Sequence, residues 1–502
     1  MADTKREIER KYESDDSGLP DLTGVAGVDA VVDKGVAHLD ATYYDTPDER
    51  LAASAITLRR RTGGSDAGWH LKFPIAPGVR DEIRAPLSDT LPRSLAGLVR
   101  SRVREAELQP VVRLRSDRDV RDLVDAEGRL LAEVSVDAVR AERLTGDGGS
   151  AQWTELEVEL ADGGDPAFLD KVDKRLRKAG VRPSASASKL ARALAETSPK
   201  QKRRKKKEQA KEPVTAGDHV LAYVREQRDA IVELDPAVRQ DVYDSVHRMR
   251  VATRRMRSAF RSYGKVLDRT VTDPVGDELK WLAGELGVDR DAEVLTERLA
   301  AALDELPRTL LSGPVRTRLR TWMNARRGGS RRRLTGVLDS KRYLTLLDTL
   351  DRLVEDPPLL EAAAGKPEKV IARAVRKDYG KLSDLVEQAI GLEPGHDRDL
   401  ALHEARKKAK RTRYSAETAA PALGGPASAL AKSMKSLQNL LGDHQDSVMT
   451  RETLRELSAV AQAAGESSFT YGVLYGREEA RAAADEAQLP GAWQEVKDGM
   501  QV

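Results

Sequence analysis

Near the amino terminus, in Arg6-Glu7-Ile8-Glu9-Arg10-Lys11, two carboxylates and an ammonium recur at every second position. Alternate side chains of a β-strand share a face, so Glu7, Glu9 and Lys11 fall on one side, with the two carboxylates about 7 Å apart. Buried together, like charges repel unless they are solvated, protonated or bridged by a cation. A buried version of this face therefore calls for a divalent metal held by carboxylate oxygens. Left in water, the same face is an ordinary surface strand. The choice turns on whether other strands place charge on a common side.

Several strands repeat the pattern. Arg59 and Arg61 alternate, as do His70 and Lys72, Arg80, Glu82 and Arg84, and Arg113 and Arg115. Glu155, Glu157 and Glu159 alternate with Leu156, Val158 and Leu160. Half-buried strands ordinarily turn apolar residues inward and charges outward. If the charged faces close around one axis instead, the result is a barrel with an ionic lumen, acids grouped on some strands and bases on others. Lysine and arginine neutralise phosphate oxygens there, and glutamates fix hard ions that bridge the same phosphates. The guest has to be strongly anionic.

The elements that position these residues divide the chain. Up to about residue 190, short alternating runs read as antiparallel strands: His38 to Tyr44, Ile56 to Arg61, Trp69 to Phe73, Leu130 to Val139 and Trp153 to Leu160. Asp165 to Ala179 reads as a helix. A basic low-complexity stretch lies between Pro199 and Pro213, and from Ala216 the text is helical, broken at Pro357-Pro358 and Gly425-Pro426. The expected fold class is α+β multidomain: a strand domain over 1–198, a basic linker over 199–215 and an all-α domain over 216–495. Net charge is only +3, from 85 basic against 82 acidic residues, so partners follow from local patches and not from the total. The absence of cysteine excludes disulfides, thiolate metal sites and cysteine nucleophiles. The start has no apolar signal region and no stretch approaches 18 apolar residues, so a soluble cytoplasmic protein with no membrane partner is expected.

In order, Glu7-x-Glu9-x-Lys11, Tyr43-Tyr44-Asp45-Thr46, Leu58-Arg59-x-Arg61, Trp69-x-Leu71-Lys72, Glu155-x-Glu157-x-Glu159 and Ser188-Lys189 resemble the CYTH superfamily of triphosphate tunnel metalloenzymes. The resemblance covers roughly residues 3 to 195. It implies an eight-stranded antiparallel β tunnel barrel that binds triphosphate compounds with Mg2+ or Mn2+. By that likeness Lys11, Arg59, Arg61, Lys72, Arg115 and Lys189 grip phosphates, joined by Arg80, Arg113 and Arg118. Glu7, Glu9, Glu157 and Glu159 are the implied metal ligands, with Glu133, Asp137 and Glu155 as additional ones. One ion would orient the phosphates while a second lowers the pKa of an attacking water. Glu7, Glu9 and Lys11 are the catalytic candidates. His38 and His70 read as structural, and Trp69 and Trp153 as packing residues.

In the helical half, His247-Arg-Met-Arg-Val-Ala-Thr-Arg-Arg-Met-Arg257 lies over His403-Glu-Ala-Arg-Lys-Lys-Ala-Lys-Arg-Thr-Arg413 without a gap. His247, Arg250, Arg254, Arg255 and Arg257 align with His403, Arg406, Lys410, Arg411 and Arg413. Leu286-Gly287 matches Leu441-Gly442 at nearly the same separation. Val246, Met249, Thr253, Met256 and Phe260 form the apolar seam. The adjacent stripe of His247, Arg250, Arg254, Arg257 and Arg261 has no local acid, and its self-repulsion makes sense if an anion covers it. This half resembles the CHAD domain, which implies two related four-helix bundles binding inorganic polyphosphate. Asp291 and Asp446 read as structural.

Three functions follow as expectations. The leading one is a metal-dependent inorganic triphosphatase, a phosphoanhydride hydrolase, whose helical half binds polyphosphate and associates it with polyphosphate granules. The rivals are a polyphosphate-binding scaffold without turnover and a class IV-type adenylate cyclase. With 4% aromatics and no groove-reading motif, nucleic acid is disfavoured as a partner. Oligomeric state is open.

Overall fold

The computed structural model describes residues 3–14, 18–146, 148–198, 212–327 and 329–500, with backbone alone at 289–293, 326–327 and 330. The chain forms two compact units, residues 1–210 and 211–502. Most of the expected basic linker, residues 199–211, lies outside the described residues.

In the first unit the strands are β1 (Asp3–Ser14), β2 (Ala30–Asp45), β3 (Thr57–Thr62), β4 (Gly68–Ala76), β5 (Val79–Pro86), β6 (Gln109–Val124), β7 (Leu130–Arg143), β8 (Ser150–Leu160) and β9 (Arg182–Pro183). The helices are α1 (Arg50–Ala53), α2 (Arg93–Val103), α3 (Ala167–Lys178) and α4 (Lys189–Glu196). The strands run β5-β4-β3-β2-β6-β7-β8-β1, and β1 pairs back onto β5, so eight antiparallel strands close into a ring with β9 added on β1. Closure depends on β1 serving two neighbours: Asp3 to Ile8 pair with β5, and Glu9 to Ser14 pair with β8. Apolar side chains are buried in three clusters around the ring. Leu95, Leu98 and Val99 of α2 cover β3–β5, Phe168 and Val172 of α3 cover β7 and β8, and Leu190 and Leu194 of α4 pack with Val112, Leu114 and Trp153. With the apolar contacts supplied by these helices, the ring interior is left to the charges.

The second unit is helical among the described residues: α5 (Ala216–Arg239), α6 (Ser245–Ser262), α7 (Arg269–Glu285), α8 (Gly287–Asp304), α9 (Val315–Arg327), α10 (Ser330–Asp339), α11 (Lys341–Glu355), α12 (Pro367–Gly391), α13 (His396–Leu423), α14 (Gly425–Ala463) and α15 (Phe469–Asp498). A capping box at Thr215 and Asp218 starts α5. The duplicated basic segments lie on α6 and α13, while the second copy joins the counterparts of α7 and α8 into the single α14. Both repeats contribute to one core, in which Val224, Met256 and Leu279 are buried with Ile371, Ala409 and Leu437. No helix among the described residues is long and apolar enough to cross a membrane.

Candidate functional site

Alternation along the ring strands turns one set of side chains into a cavity of about 610 Å³. Ten basic and eight acidic side chains line it. With all of them ionised the wall is net positive, which selects an anionic guest.

Register fixes where the acids meet. Glu9 lies opposite Glu159, which lies opposite Glu133; Lys11 lies opposite Glu157; Glu13 lies opposite Glu155, which lies opposite Asp137. Like charges directly across a ladder destabilise it unless a cation intervenes. In the two deeper rows the chain supplies that cation itself. Lys11 pairs with Glu157 and lies 3.3 Å from Glu9. Arg118 chelates Asp137 through two hydrogen bonds of 2.8 Å and reaches Glu157 at 3.1 Å. Lys189 Nζ lies 3.1, 2.7 and 2.6 Å from Asp137, Glu155 and Glu157. Burial opposes ionisation of Glu157, but Lys11, Lys189 and Arg118 hold it well below the usual carboxylate range.

The Glu9–Glu159–Glu133 row has less compensation. Lys5 bonds Glu159 at 2.7 Å. Burial, reinforced by Glu159, pushes the Glu133 carboxyl up. Burial likewise raises Glu7, with Lys72 opposing and Glu82 adding to the rise, while at Glu9 burial is outweighed by Lys11 and the carboxyl is lowered. Raised carboxyls beside other carboxylates are groups that an added cation would relieve.

The opposite wall is cationic and anchored from behind. Glu82 is fully buried: its oxygens take His70 Nδ1 at 2.8 Å and Lys72 at 3.4 Å, and pair with Arg84. Burial works against its charge, yet the His70 hydrogen bond, Lys72 and Arg59 hold it far below the usual range. Burial pushes His70 itself down to about 4, with the Glu82 hydrogen bond opposing the shift. Its Nε2 meets the Asp66 carbonyl at 2.9 Å. Lys72 also reaches Glu7, and Arg80 donates to the Ala187 carbonyl at 2.7 Å. Arg59 donates to Tyr43 Oη at 3.3 Å, and Arg61 pairs with Asp66. The Nε groups of Arg59 and Arg61 are buried without a hydrogen-bond partner, a defect that an anion in the cavity would cure.

Every acidic donor here is a carboxylate oxygen, and the imidazole on this face is already engaged by Glu82 and Asp66. This set fits a hard ion such as Mg2+ or Mn2+ and not a thiolate- or imidazole-seeking metal.

The ring brings together Glu7, Glu9, Lys11, Arg59, Arg61, Lys72, Arg80, Arg118, Glu133, Glu157, Glu159 and Lys189 around the cavity. One expectation is corrected, and two further sets of residues have partners within the chain. Arg113 and Arg115 point out of the ring toward Asp40, at 2.6 and 3.7 Å, with side chains 40% and 56% exposed. Counting in twos along β6, they fall on the face opposite Arg118. Asp137 and Glu155, expected to bind metal, lie with Glu157 within reach of one cation, and here they face Arg118, Lys189 and Trp153 Nε1. Lys189 lines the cavity and lies against three carboxylates. Among residues given no site role from sequence, Glu82 and Arg84 belong to the Arg80-x-Glu82-x-Arg84 alternation already noted, and Lys5 continues the Glu7 series by one step. Asp66 sits on a turn and carries no such signal. Asp45 of the Tyr43-Tyr44-Asp45-Thr46 run is structural: it accepts from the backbone of Thr46, Leu51 and Ala52 at 2.7–2.9 Å and starts α1.

In the helical unit Met249, Thr253, Met256 and Phe260 are buried as the seam requires. The duplicated Leu-Gly now has a reason. A Cβ on Gly287 would sit 2.7 Å from Arg250 Nη2, and one on Gly442 would sit 3.2 Å from Arg406 Nη2. Each glycine makes room for the guanidinium of its own repeat. Lys410 is pushed down to about 7 by burial and by Arg254 and Arg406, with Arg250 adding to the effect and Asp446 opposing it. Asp446 lies 3.8 Å from Arg406; the Asp291 side chain lies outside the described residues. Arg257 is lowered by burial and by Arg261 and Arg254, and its Nε, like that of Arg406, is buried without a hydrogen-bond partner. His247 is exposed, and His403 Nδ1 meets Gln445 Oε1 at 2.6 Å. The rest of the expected anion set is corrected. Arg255 pairs with Glu417 at 3.1 Å and Arg411 with Asp378 at 3.0 Å, each joining α13 to a neighbouring helix, while Arg413 pairs with Glu417 at 2.8 Å within α13.

Comparison with known proteins agrees with this division. A CYTH domain matches over residues 5–194 and a CHAD domain over 222–455. Among solved structures, PptA from Streptomyces chartreusis is 20% identical with a TM-score of 0.48, covering 56% of this chain and 99% of its own. The CHAD domain from the plant Ricinus communis is 22% identical with a TM-score of 0.44, covering 57% and 92%. The uncharacterized proteins MT2285 and Rv2226, from two strains of Mycobacterium tuberculosis, are each 41% identical across 97% of this chain and 95% of theirs. The relation therefore extends through both units, and the chain belongs to the CYTH family, with a CHAD domain in the same polypeptide.

Proposed function

We propose that the chain is a divalent-metal-dependent triphosphatase acting on inorganic triphosphate, and that its helical unit binds inorganic polyphosphate. The observation that carries the reading is the opposition, inside one closed ring, of the Glu9–Glu159–Glu133 row to Arg59, Arg61 and Lys72. Glu7, Glu9, Glu133 and Glu159 would hold Mg2+ or Mn2+. When bound, such an ion supplies countercharge to phosphate oxygens and makes water more acidic. Arg59, Arg61, Lys72 and Arg80 orient the phosphate chain, and Glu82 holds the first three of these cations against one another's repulsion. Arg118 and Lys11 fix Glu157 so that the carboxylate wall does not collapse onto the substrate. His38 pairs with Asp117 on an exposed face and both ring nitrogens of His70 are engaged, by Glu82 and by the Asp66 carbonyl, so neither is placed as a nucleophile.

Tyr43 is the one aromatic side chain lining the cavity among the described residues, while Trp69 and Trp153 are buried in the surrounding packing. Without a stacking platform for a base, inorganic triphosphate is favoured over nucleotides. In the helical unit, Arg250, Arg406, Lys410, Arg254 and Arg257 supply the charge for polyphosphate.

The test is phosphate release from inorganic triphosphate, ATP, thiamine triphosphate and long-chain polyphosphate by the full chain with Mg2+ or Mn2+. Inorganic triphosphate is expected to be turned over fastest. Cyclic AMP from ATP would make the chain a cyclase, and no release from any substrate would leave the binding scaffold.

A further inference from the structure

The carboxylates of Asp137, Glu155 and Glu157 form the tightest acidic cluster described in the first unit, each offering an oxygen within 4.8 Å of the others. By donor type and spacing this is the place where a metal would be sought first. It already holds a cation. One ammonium lies among the three carboxylates, with Lys189 Nζ 2.6–3.1 Å from an oxygen of each. The same carboxylates have other partners: Arg118 chelates Asp137 and reaches Glu157, and Trp153 Nε1 donates to Glu155 Oε2 at 2.6 Å, while Glu155 Oε1 has the ion pair with Lys189 and no hydrogen bond.

The lysine is held in place by an element and not by chance. Ser188 caps α4, accepting from the Ala191 N–H at 3.1 Å, and Lys189 is the first residue of that helix. Leu190, Ala193 and Leu194 bury the next turns against Val111, Leu114 and Trp153. A cation at a helix N-terminus meets the positive end of the dipole, so the helix itself does not favour lysine there. The three carboxylates do. The side chain is 9% exposed, which leaves little room for solvent to compete.

We infer that the Lys189 ammonium fills a latent divalent-metal site, so that Asp137, Glu155 and Glu157 take no metal in the native protein. The exogenous ion is thereby confined to the carboxylates of Glu7, Glu9, Glu133 and Glu159. The inference rests on the metal-binding reading proposed above. It makes Lys189 a positioning residue and reassigns one of the two cations expected in the tunnel to the chain itself.

Mn2+ binding to the full chain, counted by the EPR signal of the free ion, tests this without reference to turnover. Lys189→Met, similar in length and uncharged, is expected to bind one more Mn2+ than the native chain. Lys189→Arg should leave the count unchanged, and Lys189→Met with Glu155→Gln should restore it. An unchanged count in a folded Lys189→Met, with Glu7→Gln still lowering the native count, overturns the inference while the metal-binding reading stands. If circular dichroism shows Lys189→Met unfolded, Asp137→Asn with Glu155→Gln decides: no Mn2+ lost supports the inference, one lost overturns it. A native chain that takes up no Mn2+ in the tunnel sinks the metal-binding reading and the inference together.

Discussion

Lys410 stands where the first repeat has Arg254, and the difference has a consequence for pH. Crowding by burial and neighbouring arginines brings its pKa to about 7, far below an ordinary lysine. A base whose folded pKa is depressed favours folding at high pH, and that contribution is lost as pH falls through about 7. A bound polyanion works the other way, because it favours the ammonium. Polyphosphate affinity is therefore expected to fall several-fold as pH rises from about 6.5 to about 8, with proton uptake on binding. Lys410→Arg cannot deprotonate and should flatten that limb, as isothermal titration at several pH values would show. At this scale the sequence was legible where one face carried the charge, as in Glu7-x-Glu9-x-Lys11. It misled along β6, where both faces are charged. Arg113 and Arg115 alternate as convincingly as Ser116, Arg118 and Val120, and a phase error of one residue moves a whole set to the other side. Nor does alternation distinguish an acid open to a metal from one paired within the chain, as Asp137 and Glu155 are with Lys189.

At the scale of elements, the duplicated Leu-Gly gives the sharpest prediction. Gly442 lies inside α14, where glycine costs about 0.5–1 kcal/mol relative to alanine. Gly442→Ala should therefore stabilise the helix slightly while its Cβ crowds Arg406. Thermal unfolding should show an unchanged or raised midpoint and a polyphosphate titration a weakened affinity. A loss of stability without a change in affinity would contradict this role for the glycine. The repeat was readable because it preserves residue type at fixed spacing, whereas its purpose required seeing which side chain crosses the glycine. β6 was the strand hardest to read, since Arg118-Asp119-Val120-Arg121-Asp122 looks like a solvated loop, and only its pairing with β2 and β7 makes it a wall of the ring. Pro357-Pro358 did fall between α11 and α12, and Gly425-Pro426 opens α14, because proline and glycine act locally.

At the scale of the whole molecule, the division into a strand unit and a helical unit was legible from the change of period alone, from two to about 3.6. Closure of the ring was not, because it depends on β1 changing partners midway, between Ile8 and Glu9. That exchange is what places Glu7 and Glu9 against different neighbours, Arg80 and Glu159, and gives the tunnel one acidic and one basic wall. The most direct test is the rate of phosphate release from inorganic triphosphate with Mg2+ or Mn2+, for the native chain and for Glu7→Gln and Glu9→Gln. The account predicts metal-dependent release by the native chain, abolished by a chelator and reduced by about 10²-fold or more in each variant, with polyphosphate binding by the helical unit retained. Release that is indifferent to the chelator, or variants that match the native rate, would contradict it.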